Sequence, residues 1–175
     1  MSDDVHEVYA IRYGHHDRKA SENFIGGDPH DGPMPMDYFM WLARGGGRTF
    51  VIDTGFNAVV SKRRKRTYLR CPVETLSAFG IGANEVEDVI LTHLHYDHAG
   101  NFDRFPNARF HLQERELAYA TGRFMRYPRL SHSFEVEDVQ YGCTPKEEIW
   151  RDGKAEEVKF TAAELVAESK SQKPA

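Results

Sequence analysis

The sequence predicts an α/β (α+β) chain, a mixed sheet flanked by short helices, and three observations point to it. Apolar runs rich in β-branched and aliphatic residues fill 88–92 and 108–112, each bounded by turn-forming residues. Two more apolar runs, 37–44 and 48–53, bracket Arg44-Gly45-Gly46-Gly47-Arg48, where glycines that tolerate positive φ make a tight hairpin turn. Helical signals lie between strands. Pro72 suits the first turn of a helix over 72–80, and Gly122 stops one over 113–121.

Taken in order, residues 5–12 form a first strand, with Val5, Val8, Ala10 and Ile11 as inward positions. From Gly14 to Pro35 the chain reads as a long loop carrying His15-His16-Asp17, Pro29 and Pro33, and long ordered loops tend to be functional. Asp53-Thr54-Gly55 closes the third strand. The five cations Lys62-Arg63-Arg64-Lys65-Arg66 lack interleaved aromatic residues in a net-acidic chain, so they read as a solvated loop or helix face. Gly80 and Gly82 end the first helix. Residues 123–133 are irregular and basic, and carry His132. Beyond about 140 the chain becomes charged, with Ile149, Trp150 and Val158 as its few apolar anchors. Thr161-Ala162-Ala163-Glu164 fits a capping box opening a short helix to about 169, and 171–175 reads as frayed. The expected organisation is therefore a main domain over 1–140 and an atypical charged segment over 141–175.

At 175 residues, 40% hydrophobic and 29% charged, the chain matches one soluble domain with a sizeable core. A formal charge of −4 argues against general affinity for nucleic acid or membrane. Cys71 and Cys143 make no disulfide framework, the start Met-Ser-Asp-Asp has no apolar signal core, and the longest apolar run, 38–43, is too short to span a bilayer. A cytoplasmic location is the expectation.

The chemistry concentrates in Thr92-His93-Leu94-His95-Tyr96-Asp97-His98-Ala99-Gly100-Asn101, directly after Val89-Ile90-Leu91. Side chains two apart at a strand's end project to the same side, so His93 and His95 can enter one pocket. Asp97 and His98 follow on the next turn. Imidazole nitrogen with carboxylate oxygen suits zinc.

This stretch resembles the metal-binding signature of the metallo-β-lactamase superfamily. Val8 to Gly14, Asp37 to Leu42, Phe50 to Phe56 and Arg70 to Glu74 resemble its N-acyl homoserine lactonase branch, the likeness covering about 5–139. The resemblance implies an αββα sandwich, of which this chain would hold the N-terminal half. It implies a zinc-dependent, quorum-quenching lactonase, in which a metal-bound hydroxide attacks the ring carbonyl of an acyl homoserine lactone. Asp97 would serve catalysis as well as metal binding, and nearby tyrosine and aspartate groups would steer the leaving alkoxide. The same signature serves thioesters, β-lactams and phosphodiesters elsewhere in the superfamily.

By the resemblance, His93 and His95 belong to a first metal and Asp97 and His98 to a second, with Asp53 as a supporting carboxylate beneath them. Two later histidines and a later aspartate should complete the pair, yet no histidine follows His132. Each metal would keep two protein ligands. The expected cofactor is thus two zinc ions in a completed site and one or none in this chain by itself. His111 and His132, with Asp138 and Cys143, are the candidate substitute ligands. Truncation is the favoured explanation, and a homodimer or a complementing C-terminal half the expected partner. The opposing reading is a catalytically incomplete remnant acting by metal binding or association. In either case a half sandwich would leave one apolar sheet face uncovered.

Overall fold

A computed structural model describes residues 5–142, 147–151 and 154–157. A strand β1 (Glu7–His16) leads to a one-turn helix α1 (Ala20–Asn23), then to the hairpin β2 (Met36–Gly45) and β3 (Arg48–Ile52). Next come α2 (Ala58–Arg63), a short β4 (Thr67–Tyr68), α3 (Pro72–Thr75) continued as a 3₁₀ turn over Leu76–Phe79, and β5 (Asp88–Leu91). The chain then runs through β6 (Arg109–Gln113), α4 (Glu114–Thr121), α5 (Pro128–Ser131), α6 (Val136–Gly142), β7 (Glu147–Arg151) and β8 (Lys154–Glu157). One sheet in the order β4-β1-β2-β3-β5-β6-β7-β8 joins all eight strands. The β1–β2–β3 meander is antiparallel. From β3 through β5 and β6 to β7 the pairing is parallel, and β8 folds back on β7.

Strand periodicity divides this sheet into two unlike faces. The inner row comprises Ile11, Tyr13, Met40, Leu42, Val51, Val89, Leu91, Phe110 and Leu112, all buried. Val60 of α2, Val73 of α3, and Leu117 and Ala120 of α4 pack against it in one core. On the outer row Val8 is 58%, Trp41 41% and Ile90 36% exposed, so this face lacks a comparable cover among the described residues.

Several expectations need correction. Val8 and Ala10 point outward, Val5 lies exposed ahead of β1, and the inward positions of β1 are Ile11 and Tyr13, with Tyr9 half-buried. Both rows of this strand carry apolar residues together with charged or polar ones, so alternation alone could not choose between them. The choice falls to Tyr13, whose ring lies 4.9 Å from Phe56, and to a register shift between Arg12 and Gly14. The same strand continues to His16 and α1 follows, so 14–35 is less loop than expected. The helix expected over 72–80 is one α turn tightened to 3₁₀, closed by Gly80 at φ 71°. β7 and β8 lie in the charged stretch after residue 140, where composition announces no strand. The helix expected at 161–169, the frayed end and Cys143 lie outside the described residues.

Candidate metal centre

β5 ends at Leu91, and the next ten residues turn back across the sheet's C-terminal edge. Two loops are zipped together there. The Asp53 amide donates to the Ile90 carbonyl (2.8 Å), Thr54 N to His98 O (2.7 Å), and Gly100 N to Gly55 O (2.9 Å). The Asn101 side-chain amide donates to the carbonyls of both Thr54 and Gly55 at 2.9 Å. The approach is close enough to demand glycine. A Cβ on Gly100 would lie 2.7 Å from Gly55 O, and Gly55 itself sits at φ 69° against Tyr13.

Asp53 is the keystone of this junction. It is buried and, though not glycine, adopts a left-handed φ of 62°, a conformation retained where surrounding contacts over-determine it. Its Oδ1 accepts from Thr92 N (2.8 Å) and Thr92 Oγ1 (2.9 Å), and its Oδ2 pairs with His98 Nδ1 at 2.7 Å. The carboxylate thus binds both a motif imidazole and a motif backbone amide, the arrangement that orients a metal-binding histidine.

The four motif side chains come together. The His93 ring is 4.6 Å from that of His95 and 3.9 Å from that of His98, and His98 Nε2 lies 3.4 Å from Asp97 Oδ2. Burial, aided by the neighbouring imidazoles, holds His93 and His95 below the usual histidine pKa, so both are neutral at pH 7 with lone pairs available. For Asp97 burial works against ionisation, but bonding to His98 prevails and keeps the carboxyl below its ordinary range. His98 is likewise buried against its charge, yet Asp53 and Asp97 outweigh that and raise it to about 9. The His98 proton therefore balances Asp97, a role that a bound cation would take over.

In donor type, and in the neutral His93 and His95 with the ionised Asp97, the cluster fits zinc, whose binding would displace a proton from His98. In enclosure it is incomplete, since among the described residues no three His, Cys, Asp or Glu side chains are arranged to hold an ion. The candidate substitutes do not join it. His111 bonds to buried Asp88 at 2.8 Å and lines a recess of about 500 Å³ on the outer face of the sheet. The ring of exposed His132 meets Arg129 O and Ser133 Oγ. Asp138 stands on α6 near Glu135 and Arg63, carrying a buried Oδ2 without a hydrogen-bond partner.

Sequence reasoning missed the scaffold below the loop. Glu116, in the first turn of α4, accepts from Leu94 N at 2.9 Å, and Ser133 O accepts from Tyr96 N at 2.8 Å. The tyrosines nearest the loop are engaged in hydrogen bonds within the fold. Tyr13 donates to the Asp97 carbonyl at 2.6 Å, and the Tyr96 hydroxyl is taken by Tyr38 and Arg66. The basic run also departs from expectation, because Arg63, Arg64 and Arg66 pair with this scaffold rather than with solvent alone. No nearby sequence signal marks these contacts, which join residues tens of positions apart.

A family model of the metallo-beta-lactamase superfamily matches residues 35–166, three quarters of the chain. The chain belongs to the metallo-beta-lactamase superfamily. Among relatives of this superfamily member, the N-acyl homoserine lactonase AttM of Azorhizobium caulinodans is 46% identical over 48 residues, 27% of this chain and 18% of AttM. A quorum-quenching N-acyl homoserine lactone lactonase of known structure superposes with a TM-score of 0.65 at 18% identity, covering 86% of this chain and 59% of that one. AidC, a dizinc quorum-quenching lactonase with bound product, gives 0.57 at 18% identity over 87% of this chain and 64% of its own. The likeness to these two structures establishes a shared fold. The chain spans less than two thirds of each of these relatives.

No helix among the described residues is long and apolar enough to cross a membrane.

Proposed function

We propose that this chain carries the metal-binding loop of a zinc-dependent hydrolase that opens a lactone ring, of the acyl homoserine lactone type. The observation that carries the reading is the convergence of His93, His95, Asp97 and His98 at the end of β5, with Asp53 bonded to the His98 ring. Similarity to AttM and to dizinc AidC supports zinc as the metal and a lactone as the substrate. His93 and His95 would hold one ion, Asp97 and His98 another. Bound zinc would supply a Lewis acid for the carbonyl and would lower the pKa of water toward neutral pH.

This chain's own groups do the positioning. Asp53 fixes which His98 nitrogen faces the cluster, Tyr13 holds the Asp97 backbone, and Glu116 ties the loop to α4. The ionised Asp97 carboxylate can bind a cation or receive a proton. The four side chains do not by themselves enclose an ion, so retention and turnover in the 175-residue chain should both be low. That same observation favours the second reading, a metal-binding remnant without catalysis.

Both readings are separated by zinc stoichiometry after dialysis and lactone hydrolysis measured on one sample. Zinc uptake should fall in His93→Ala and His98→Ala, and slow hydrolysis should vanish on chelation and return with zinc. Uptake unchanged in both variants would falsify the metal centre. Turnover of a thioester or phosphodiester but no lactone would overturn the substrate, and zinc uptake with no turnover at all would leave the remnant.

A further inference from the structure

The run Lys62-Arg63-Arg64-Lys65-Arg66 supplies none of the metal donors, yet it surrounds the residue between two of them. Tyr96 separates His95 from Asp97 and is buried. The Arg64 guanidinium lies 4.0 Å over its ring, while Arg66 Nε donates to its hydroxyl at 3.0 Å. Lys65, at a left-handed φ of 55°, turns the chain between these two arginines, and Arg66 also donates to the Arg64 carbonyl at 2.7 Å. On the other side lies the segment 133–135. Arg63 and Arg64 both donate to the buried Glu135 carboxylate, Arg64 Nε at 2.5 Å, and Arg64 donates to Phe134 O at 3.3 Å. The Phe134 ring then meets the His95 ring edge-on, 4.8 Å away at 89°.

We infer that Arg64, Arg66 and Glu135 form a clamp that positions His95 and Asp97 for metal binding, by gripping Tyr96 between them and holding Phe134 against the His95 ring. These are positioning residues and none is a ligand. A planar guanidinium can stack on an aromatic face and bond to a carboxylate together, which a lysine cannot reproduce. A carboxylate buried under two arginines also fixes one arrangement, because losing either partner strands a charge. The inference rests on the metal-centre reading proposed above, and its test has one readout that needs no metal.

Three quantities are measured on wild type and Arg64→Gln: zinc affinity by chelator competition, the visible spectrum of the cobalt(II)-loaded protein, and the NMR shifts of the His95 ring protons without metal. In Arg64→Gln zinc affinity should fall about 10–100-fold, the usual cost of removing a group that orients a ligand. Its cobalt spectrum should change, and the His95 ring protons should lose the shift imposed by Phe134. Arg64→Lys should not restore these values, and Lys62→Gln should leave them as in wild type. Should Arg64→Gln not fold, Phe134→Leu decides through zinc affinity and the cobalt spectrum, because it keeps the ion pairs and removes only the ring. A folded Arg64→Gln with wild-type affinity, spectrum and shifts overturns the clamp. If wild type takes up no zinc, the metal-centre reading fails, while the His95 shifts still decide whether the clamp exists.

Discussion

At the scale of single residues, Asp53 shows how one carboxylate joins backbone conformation to chemistry. Its left-handed φ turns the chain out of β3, and the buried carboxylate oxygens then collect Thr92 and His98. Asn tolerates the same backbone region, so Asp53→Asn removes the charge without adding strain. Asp53→Ala removes the acceptors as well and adds a backbone penalty. Asp53→Asn is expected to cost about 1–3 kcal/mol of stability through the weakened bonds to Thr92 and His98, and Asp53→Ala more. Zinc affinity should fall about 10–100-fold in either variant. Urea unfolding of the zinc-free protein and a zinc titration check this, and wild-type values in both variants would refute the supporting role. Asp53 stood out in the sequence only through the resemblance of D-T-G to the superfamily's pattern, since an aspartate closing an apolar strand is otherwise ordinary turn chemistry. Glu116 did not, because an acidic residue in a first helical turn is ordinary helix chemistry.

At the scale of elements, legibility followed the range of the forces involved. The hairpin β2–β3 emerged within a residue at its outer ends, since its turn glycines and alternating apolar positions are local. The histidine-rich loop was equally plain as a cluster, with His93, His95, Asp97 and His98 within six residues. The inward row of β1 was misread because both of its rows mix apolar with charged residues, and the aromatic packing of Tyr13 decides between them. β7 and β8 take their strand character from pairing outward from β6, which a charged sequence does not disclose. The clamp was invisible for the same reason, as Glu135 lies 71 positions from Arg64. α6 supplies a pH prediction. Burial, with Glu135 and Glu137 beside it and Asp103 nearby, outweighs the attraction of Arg63 and raises Asp138 to about 7. The folded state therefore holds a proton that the unfolded chain releases near pH 4. That stabilisation is complete below pH 4 and is lost as pH rises through 7. Asp138→Asn should match wild type at pH 4 and exceed it by about 1–3 kcal/mol at pH 8. Equal unfolding midpoints at pH 8 would show that Asp138 is not buried against its charge.

At the scale of the whole molecule, the sheet separates a packed face from one that the described residues leave largely open. Its inner face holds the aromatic cluster of Tyr13, Tyr38, Phe56 and Tyr96, the last of which belongs to the histidine-rich loop, so core and candidate site share a residue. The outer face presents Val8, Trp41 and Ile90, with the half-buried Phe39, Phe50 and Ile52 beside them. Their register makes one patch, since Trp41 pairs with Ile52 and Ile52 with Ile90. Buried Asp88 also faces this side, tied to Arg48, Arg109 and His111, so the patch ends in charge. Contiguous apolar surface of this kind binds hydrophobic dyes and promotes self-association. The purified chain should bind such a dye and elute earlier as its concentration rises. Trp41→Glu with Ile90→Lys should abolish both behaviours while changing stability by only about 0.5 kcal/mol per site, because these side chains lie outside the core. It should leave zinc uptake unchanged, since the four proposed donors sit on the loop beyond β5. Wild-type chain that remains monomeric at every concentration and binds no dye would mean that this face is covered in solution.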